Sequence, residues 1–224
     1  MRHIKFWQEC LRPMRLFLFC TLIAVLGSSA HANESDQPPS IVVFGDSLVA
    51  GYQLPPGAGF PDRLQVALDE AGVAAKIIGA GVSGDTTSGG LSRLAWSVPD
   101  GTDAVILELG ANDALRGLPP QLSAANLDTM IKQLQERNIK VLLVGMLAPP
   151  NMGEDYAAAF NPIYANLSEK YQVPLYPFFL DGVMTVEGMT LDDGMHPSPE
   201  GVDVMVAGIM PMVERLIEEL RPTP

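Results

Sequence analysis

Three polar residues of this 224-residue chain have the types that nucleophilic acyl transfer requires. Ser47 lies just beyond the apolar run 41–44, where a serine hydroxyl at the end of a buried strand can act as a nucleophile. His196 can accept the hydroxyl proton on one ring nitrogen, and Asp193, three residues earlier, can hold the other nitrogen and set the tautomer. Asp192 is the alternative partner, but its spacing to His196 is less suitable, so we expect it to be solvated.

Cleavage of an ester or amide also requires hydrogen-bond donors for the oxyanion that forms when the nucleophile attacks. The sequence offers the backbone N–H of Ser47, the backbone N–H of Gly81 and the side-chain amide of Asn112. Glycine at position 81 lets the backbone approach a substrate closely. The chain order Ser, Asp, His is also that of α/β-hydrolases, but their G-x-S-x-G elbow does not occur in this sequence, so we expect a different α/β fold.

The elements that must position these residues alternate between strand and helix. Apolar runs rich in β-branched residues predict strands at 41–44, 75–78, 103–109, 139–145 and 173–176. Helical spacing of apolar residues predicts helices at 61–72, 91–96, 121–138, 154–171 with a kink at Pro162, and from 199 or 200 to 220 with Pro211 inside it. The other segments, including 79–90 and 110–120, are predicted to be loops.

The predicted strands are apolar on both faces, which is typical of a parallel sheet covered by helices on both sides. The carboxyl ends of parallel strands lie on one edge of the sheet, where open α/β folds bind their ligands. The segments 45–48, 79–86, 110–113 and 193–196 follow predicted strands. We therefore expect these four segments to meet in one crevice.

These four segments resemble the motif blocks of the SGNH, or GDSL, hydrolase family. The pattern has Ser in G-D-S-L, Gly in the second block, Asn in G-x-N-D and His in D-x-x-H, and all four occur here in order between 45 and 196. The stretches 81–87, 110–117 and 177–183 look closest to the bacterial arylesterase, thioesterase and lysophospholipase branch. Ala111 stands where glycine is more frequent in that branch, which bears on substrate fit near this loop.

The resemblance covers nearly the whole chain after the first 32 residues, and it carries expectations for fold and site. It implies a flavodoxin-like three-layer α/β/α sandwich with a five-stranded parallel sheet. It makes Ser47 the nucleophile of an acyl-enzyme mechanism, with Asp193 and His196 as its partners. It makes Ser47, Gly81 and Asn112 the oxyanion donors, and a carboxylic ester the bond that is cleaved.

The first 32 residues have the composition of a secretory signal peptide. Four basic residues precede the uncharged apolar run 16–27, and Ala30 and Ala32 form an A-x-A cleavage site. The apolar run is too short to span a bilayer comfortably, so we expect cleavage rather than an uncleaved anchor. Met1 and Met14 are both plausible starts for the signal. We expect a periplasmic or secreted protein in which residues 33–224 form one domain.

Loss of the signal would change the chemistry that remains available. Both cysteines would leave with it, and His196 would be the one histidine left, so we expect no disulfide, no thiol nucleophile, no metal and no cofactor. The net charge would change from −12 to −15, because four basic residues and one acid are removed. Such a surface repels nucleic acid and anionic membranes. We expect a monomer that acts on a small-molecule acyl ester or thioester, without nucleic acid partners or stable membrane insertion.

Several alternatives remain open at this stage. Gly79-x-Gly81-x-x-Gly84 matches a dinucleotide fingerprint, but Asp103, the acid at the expected distance, begins a strand instead of ending one. The same scaffold can also remove acetyl groups from carbohydrate, or bind a ligand without catalysis. The sequence leaves the acyl length open, as it does the choice between ester, thioester and lysophospholipid.

Four charged residues beside the motif blocks are expected to support the structure. We expect Asp46 and Asp113 to brace loops through Asx-type hydrogen bonds, and Glu108 to be a buried carboxyl with satisfied hydrogen bonds. Arg116 is expected to pair with an acid instead of contacting substrate. Residues that can wall an acyl groove at the same edge are the loop 146–151, Leu118, and Phe179 or Leu180.

Overall fold

The computed structural model describes residues 37–221, and the predicted signal peptide lies outside them. This part of the chain contains one parallel sheet of five strands in the order β2-β1-β3-β4-β5. The strands are β1 (Ser40–Gly45), β2 (Lys76–Gly81), β3 (Ala104–Glu108), β4 (Lys140–Val144) and β5 (Leu175–Tyr176). The helices are α1 (Ser47–Ala50), α2 (Phe60–Glu70), α3 (Thr87–Ser97), α4 (Ala111–Leu115), α5 (Pro120–Glu136), α6 (Glu154–Phe160), α7 (Ile163–Tyr171) and α8 (Pro199–Leu220), with a 3₁₀ turn at Pro150–Met152.

The helices form two layers, one on each face of the sheet. The chain passes from β1 to β2 in one direction and from β2 to β3 in the other, so right-handed crossovers place α2 and α3 on opposite faces. The packing agrees with this, because α2 contacts α8, while α3 contacts α5 and α5 contacts α7. The flavodoxin-like α/β/α sandwich with a five-stranded parallel sheet is therefore confirmed.

The core lies at the central strands β1 and β3, which pair in register from Ile41 opposite Ala104 to Phe44 opposite Leu107. Residues 41–44 and 104–108 are completely buried, because helices cover both faces of the sheet. The polar segments that follow β1 and β3 therefore extend from the most deeply buried strands of the sheet.

The edge strand β2 is paired on its outer side by a side chain. Gln65 of α2 donates from Nε2 to the Ala75 carbonyl at 3.1 Å and accepts the Ile77 N–H on Oε1 at 2.8 Å. One side-chain amide thus occupies backbone groups that a further strand would otherwise use.

Several boundaries differ from those expected from the sequence. The segments 79–90 and 110–120, expected to be loops, contain the end of β2, the start of α3 and the whole of α4. The expected kinked helix at 154–171 is two helices, because Pro162 lacks an N–H and ends the ladder after Phe160. Within residues 37–221, no helix combines the length and the apolar character needed to cross a bilayer.

Candidate active site

The structure brings Ser47, His196 and Asp193 into one continuous chain of hydrogen bonds. Ser47 is the first residue of α1, immediately beyond β1, and its Oγ lies 2.9 Å from His196 Nε2 although 149 residues separate them. His196 Nδ1 lies 2.6 Å from Asp193 Oδ2. This arrangement can move a proton from the hydroxyl to the imidazole while the carboxylate fixes the ring orientation.

Asp193 is held as a carboxylate by the loop that carries it. Its Oδ1 accepts the backbone N–H groups of Met195 at 2.9 Å and of His196 at 3.0 Å. Partial burial acts to raise the pKa of Asp193, but these two bonds and the His196 ring outweigh it and lower that pKa to about 2. The carboxylate bonded to the His196 ring is therefore that of Asp193 and not that of its neighbour Asp192.

The loop of His196 connects β5 to α8 and is closed by backbone contacts. The Leu191 N–H donates to the His196 carbonyl at 2.8 Å, and Thr190 forms an isolated bridge with Pro197. Ser198 ends the loop as the N-cap of α8, where its hydroxyl accepts the N–H of Gly201.

The imidazole of His196 also contacts an aromatic ring. The ring of Tyr52, which follows α1, lies with its centroid 4.5 Å from that of the imidazole at an interplanar angle of 40°. The sequence does not reveal this contact, because Tyr52 lies in a segment that has only the composition of a loop.

The three candidate oxyanion donors lie at the ends of β1, β2 and β3. Ser47 occupies the first turn of α1, where backbone N–H groups have no partner within the helix. Gly81 ends β2 opposite Gly45, and a Cβ at Gly81 would overlap the backbone of α1. Asn112 is the second residue of α4, directly after β3, and its Nδ2 donates to Asp46 Oδ2 at 2.9 Å.

Asp46, the residue before the candidate nucleophile, is completely buried, and both its carboxylate oxygens and its backbone N–H form hydrogen bonds. Its Oδ1 accepts the Leu48 N–H at 3.0 Å, which confirms the expected Asx-type bond and caps α1. Its own N–H donates to Glu108 Oε2 at 3.1 Å. Burial raises the pKa of Asp46 to about 6, against the hydrogen bonds from Leu48 and Asn112, which lower it.

Glu108 ends the central strand β3 and has no exposed surface. The expectation that its carboxyl is satisfied is only half right, since Oε2 accepts the Asp46 N–H but Oε1 has no hydrogen-bond partner among residues 37–221. Burial, and then the charge of Asp46, raise the pKa of Glu108 well above its usual range. Glu108 therefore stays protonated under conditions in which exposed carboxyls are ionised.

Asp113 and Arg116 support the loops in ways that differ from the expectation. Asp113 accepts the N–H of Thr87 at 2.8 Å and the hydroxyls of Thr87 at 2.6 Å and Ser123 at 3.0 Å, so it joins α3 and α5 to α4 instead of making a local Asx turn. Arg116 donates to the Gly84 carbonyl at 2.8 Å, so the expected pairing with an acid is wrong.

Arg93 of α3 is a buried residue that sequence reasoning missed. Its Nε donates to Asp85 Oδ2 at 2.6 Å, and its two terminal nitrogens donate to the carbonyls of Ala80 at 2.9 Å and Gly45 at 2.8 Å. Its guanidinium also lies 3.9 Å above the ring of Phe44. Helical spacing from Gly90 was an available signal, since it places Arg93 on the buried face of α3.

Apolar side chains are exposed around the same edge of the sheet. Among the residues expected to wall an acyl groove, Phe179 is completely buried and packs edge-to-face on Phe60, so it cannot wall a groove. Met146 is also buried, whereas Leu147 is 47% exposed. The exposed large apolar residues in the segments that follow the strands are Tyr52, Val82, Leu115, Leu147, Val186 and Met195.

The glycines at 79, 81 and 84 lack the surroundings of a dinucleotide site. The following helix α3 begins at Thr87 with Thr86 as N-cap, three residues after Gly84. Asp103 lies before β3 and accepts the N–H of Ser40, the first residue of β1, so its carboxylate lies at the amino-terminal ends of the strands. An acid there cannot reach a ribose bound beside Gly81, which lies at the carboxyl end of β2.

Comparison with known proteins is consistent with this geometry. The profile of the GDSL-like Lipase/Acylhydrolase family matches residues 43–204. An arylesterase from Vibrio mimicus is 41% identical over 184 residues, which cover 82% of this chain and 90% of that protein. The thioesterase 1/protease 1/lysophospholipase L1 of Escherichia coli K12 is 32% identical over 202 residues, which cover 88% of this chain and 92% of that protein. The crystal structure of TesA has a TM-score of 0.75 and 36% identity, over 79% of this chain and 99% of that one. The protein therefore belongs to the GDSL-like lipase/acylhydrolase family, whose members are also called SGNH hydrolases.

Proposed function

We propose that this protein is a serine esterase that hydrolyses acyl esters through an acyl-enzyme intermediate. The observation that carries the proposal is the hydrogen-bonded chain from Asp193 through His196 to the hydroxyl of Ser47. Membership of an acylhydrolase family supports it, as do relatives named arylesterase and thioesterase.

In this mechanism the Ser47 hydroxyl gives its proton to His196 Nε2 as Oγ attacks the acyl carbonyl. Asp193 keeps the Nδ1 proton in place and stabilises the imidazolium that forms. His196 then protonates the departing alkoxide, which leaves the acyl group on Ser47. Water, activated by the same imidazole, releases the acid and restores the enzyme.

The oxyanion of each tetrahedral intermediate would be bound by the N–H groups of Ser47 and Gly81 and by the Asn112 amide. These donors come from the ends of β1, β2 and β3, which are adjacent in the sheet. Donors on rigid strand ends need little reorganisation when charge develops, so they stabilise the transition state more than the ground state.

The exposed apolar residues at this edge favour an acyl chain over an acetylated sugar. Leu147 and Leu115 follow β4 and β3, and both are about half exposed. Apolar side chains gain free energy by covering methylene groups, roughly 0.8 kcal/mol for each one buried. Aryl esters and short to medium acyl esters are therefore the proposed substrates, with acyl thioesters and lysophospholipids as further candidates.

The decisive test uses purified protein with p-nitrophenyl esters from acetyl to dodecanoyl, an acyl-CoA, a lysophospholipid and an acetylated sugar. We expect hydrolysis of the acyl esters, loss of activity in Ser47→Ala, and labelling of Ser47 by an organophosphonate. Ser92→Ala, at an exposed serine of α3, should remain active. Preference for the acetylated sugar would favour the carbohydrate acetyl esterase, and a folded protein that is neither active nor labelled would be a binding protein.

We also propose that residues 1–32 are a signal peptide and that residues 33–224 form one periplasmic or secreted domain. The protein would act as a monomer without nucleic acid partners. Mass spectrometry of the protein from the periplasmic fraction should give a chain that begins at Asn33, and an intact N-terminus would contradict cleavage. Size-exclusion chromatography with light scattering tests the monomer.

A further inference from the structure

We propose that Asp46 is a positioning residue that holds the Asn112 amide in the only orientation able to donate to an oxyanion. The inference rests on the proposed function, in which Asn112 is one of the donors. Asp46 does not touch the substrate in this scheme, and it acts through Asn112.

The chemistry of the two side chains in contact sets the orientation of the Asn112 amide. Asn112 Nδ2 and Asp46 Oδ2 are 2.9 Å apart. An ionised carboxylate has acceptors but no donor, so the amide can face it only with its NH₂ group. One hydrogen of that NH₂ is then used by Asp46, and the second remains available for a substrate oxygen.

Asp46 can impose this orientation because it is itself immobile. It has no exposed surface, and its second oxygen accepts the Leu48 N–H in the first turn of α1. Its backbone N–H donates to Glu108, which ends the central strand β3. A Cβ at Gly45 would overlap both Glu108 Oε2 and the Val49 side chain, so the backbone beside Asp46 is closely packed against both.

Loss of the charge on Asp46 would remove the constraint on Asn112. An asparagine at 46 keeps an oxygen for the Leu48 N–H but presents its NH₂ group to Asn112. The Asn112 amide would then turn over, so that its oxygen accepts from residue 46 and also faces the forming oxyanion. A donor would become a source of repulsion without any change in the size of either side chain.

A mutant cycle on a p-nitrophenyl ester tests this coupling. Asn112→Ala should lower kcat by about 100-fold or more, as removal of an oxyanion donor does in other hydrolases. Asp46→Asn should lower kcat by a similar factor with little change in KM. The double variant should be no slower than Asn112→Ala alone, because both changes remove the same interaction with the oxyanion. Asp203→Asn, at an exposed aspartate paired with Arg63 on the protein surface, is the matched control and should keep wild-type kcat.

Each alternative result of this cycle has a distinct meaning. If Asp46→Asn keeps kcat while Asn112→Ala loses it, the positioning role is wrong and the esterase mechanism stands. If the double variant loses activity by the product of the two single effects, Asp46 acts independently of Asn112, and the proposal is overturned. If Asn112→Ala is fully active, the oxyanion assignment fails together with this inference.

A second measurement uses the wild-type protein and therefore does not depend on the folding of a variant. Protonation of Asp46, whose pKa is about 6, would give it a donor and weaken its hold on Asn112. The ionisable groups that interact with Asp46 are His196, Asp85 and Glu108, and Oε2 of Glu108 accepts the Asp46 N–H. The side-chain NH₂ signals of Asn112 in an NMR titration should shift as Asp46 is protonated, with the orientation held above the midpoint and lost below it. Signals that do not respond to this titration would overturn the proposal.

Discussion

Replacement of Arg93 by Met should destabilise the protein far more than replacement of Arg63, an arginine whose ion pair is exposed. The Arg93 side chain is 6% exposed and that of its partner Asp85 is 15% exposed, whereas Arg63 and Asp203 are 39% and 51% exposed. Met fills a similar volume but cannot donate. It therefore leaves the Asp85 carboxylate without its partner and removes the link between the Gly45 and Ala80 carbonyls.

The expected loss of free energy of unfolding follows from this difference in burial between the two ion pairs. Removal of one partner of a buried ion pair costs about 3–5 kcal/mol, and the residual exposure of Asp85 places Arg93→Met at the lower end, about 3 kcal/mol. For a domain of this length, that loss lowers Tm by roughly 6–12 °C. Arg63→Met should cost about 1 kcal/mol or less, since exposed pairs are screened by water and salt. Arg93→Lys should lie between the two, because it keeps the charge but loses the geometry of the guanidinium.

Urea unfolding followed by circular dichroism measures these free energies, with all variants in one buffer and the slope m compared between them. The kcat of folded Arg93→Lys on a p-nitrophenyl ester adds a functional readout, because Arg93 joins the end of β1, which precedes Ser47, to the end of β2, which carries Gly81. An Arg93→Met variant that loses no more free energy of unfolding than Arg63→Met would refute the role of burial at this ion pair.

Three further predictions concern the site and its supports. Folding lowers the pKa of Asp193 from 3.8 to about 2, so its contribution to stability should be complete above about pH 4 and be lost as the pH falls through 2. The difference in unfolding free energy between wild type and Asp193→Asn should therefore shrink to zero over that interval. A difference that stays constant would contradict the assignment. Gly81→Ala should lower kcat by roughly 10- to 100-fold, because the added Cβ overlaps the backbone of Ala50 and displaces α1. A variant with wild-type kcat would show that α1 can move without loss of activity. Gly110→Ala should reduce soluble, folded protein, since the residue has φ of 125° and the new Cβ would meet the Tyr164 hydroxyl; an unchanged Tm would contradict this.

The sequence predicted the sheet and the residues at its edge because both depend on local pattern. Apolar runs identify β1, β3 and β4, and parallel strands share one carboxyl edge, so Ser47 and His196 could be expected to meet across 149 residues. The spacing of Asp193 before His196 also distinguished it from Asp192. These inferences needed no knowledge of side-chain packing.

The features that were missed depend on short elements or on contacts between distant residues. The helices α1 and α4 have four and five residues, too few for a 3.6-residue period to be visible. The bonds of Asp46 to Asn112 and Glu108 span 66 and 62 positions, and no local pattern reports them. Arg116 finds a carbonyl instead of an acid for the same reason, because its partner depends on how two loops are folded together.

The two ends of the Ser47–His196 hydrogen bond are anchored with unequal strength. Ser47 lies two residues beyond the central strand β1, whose residues 41–45 are buried, whereas His196 belongs to a surface loop closed by a few backbone bonds. Partial opening of such a loop requires less free energy than melting of the sheet. On heating, the enzyme should therefore become inactive while its ellipticity is still native, and cooling from that interval should restore turnover without any refolding of the sheet.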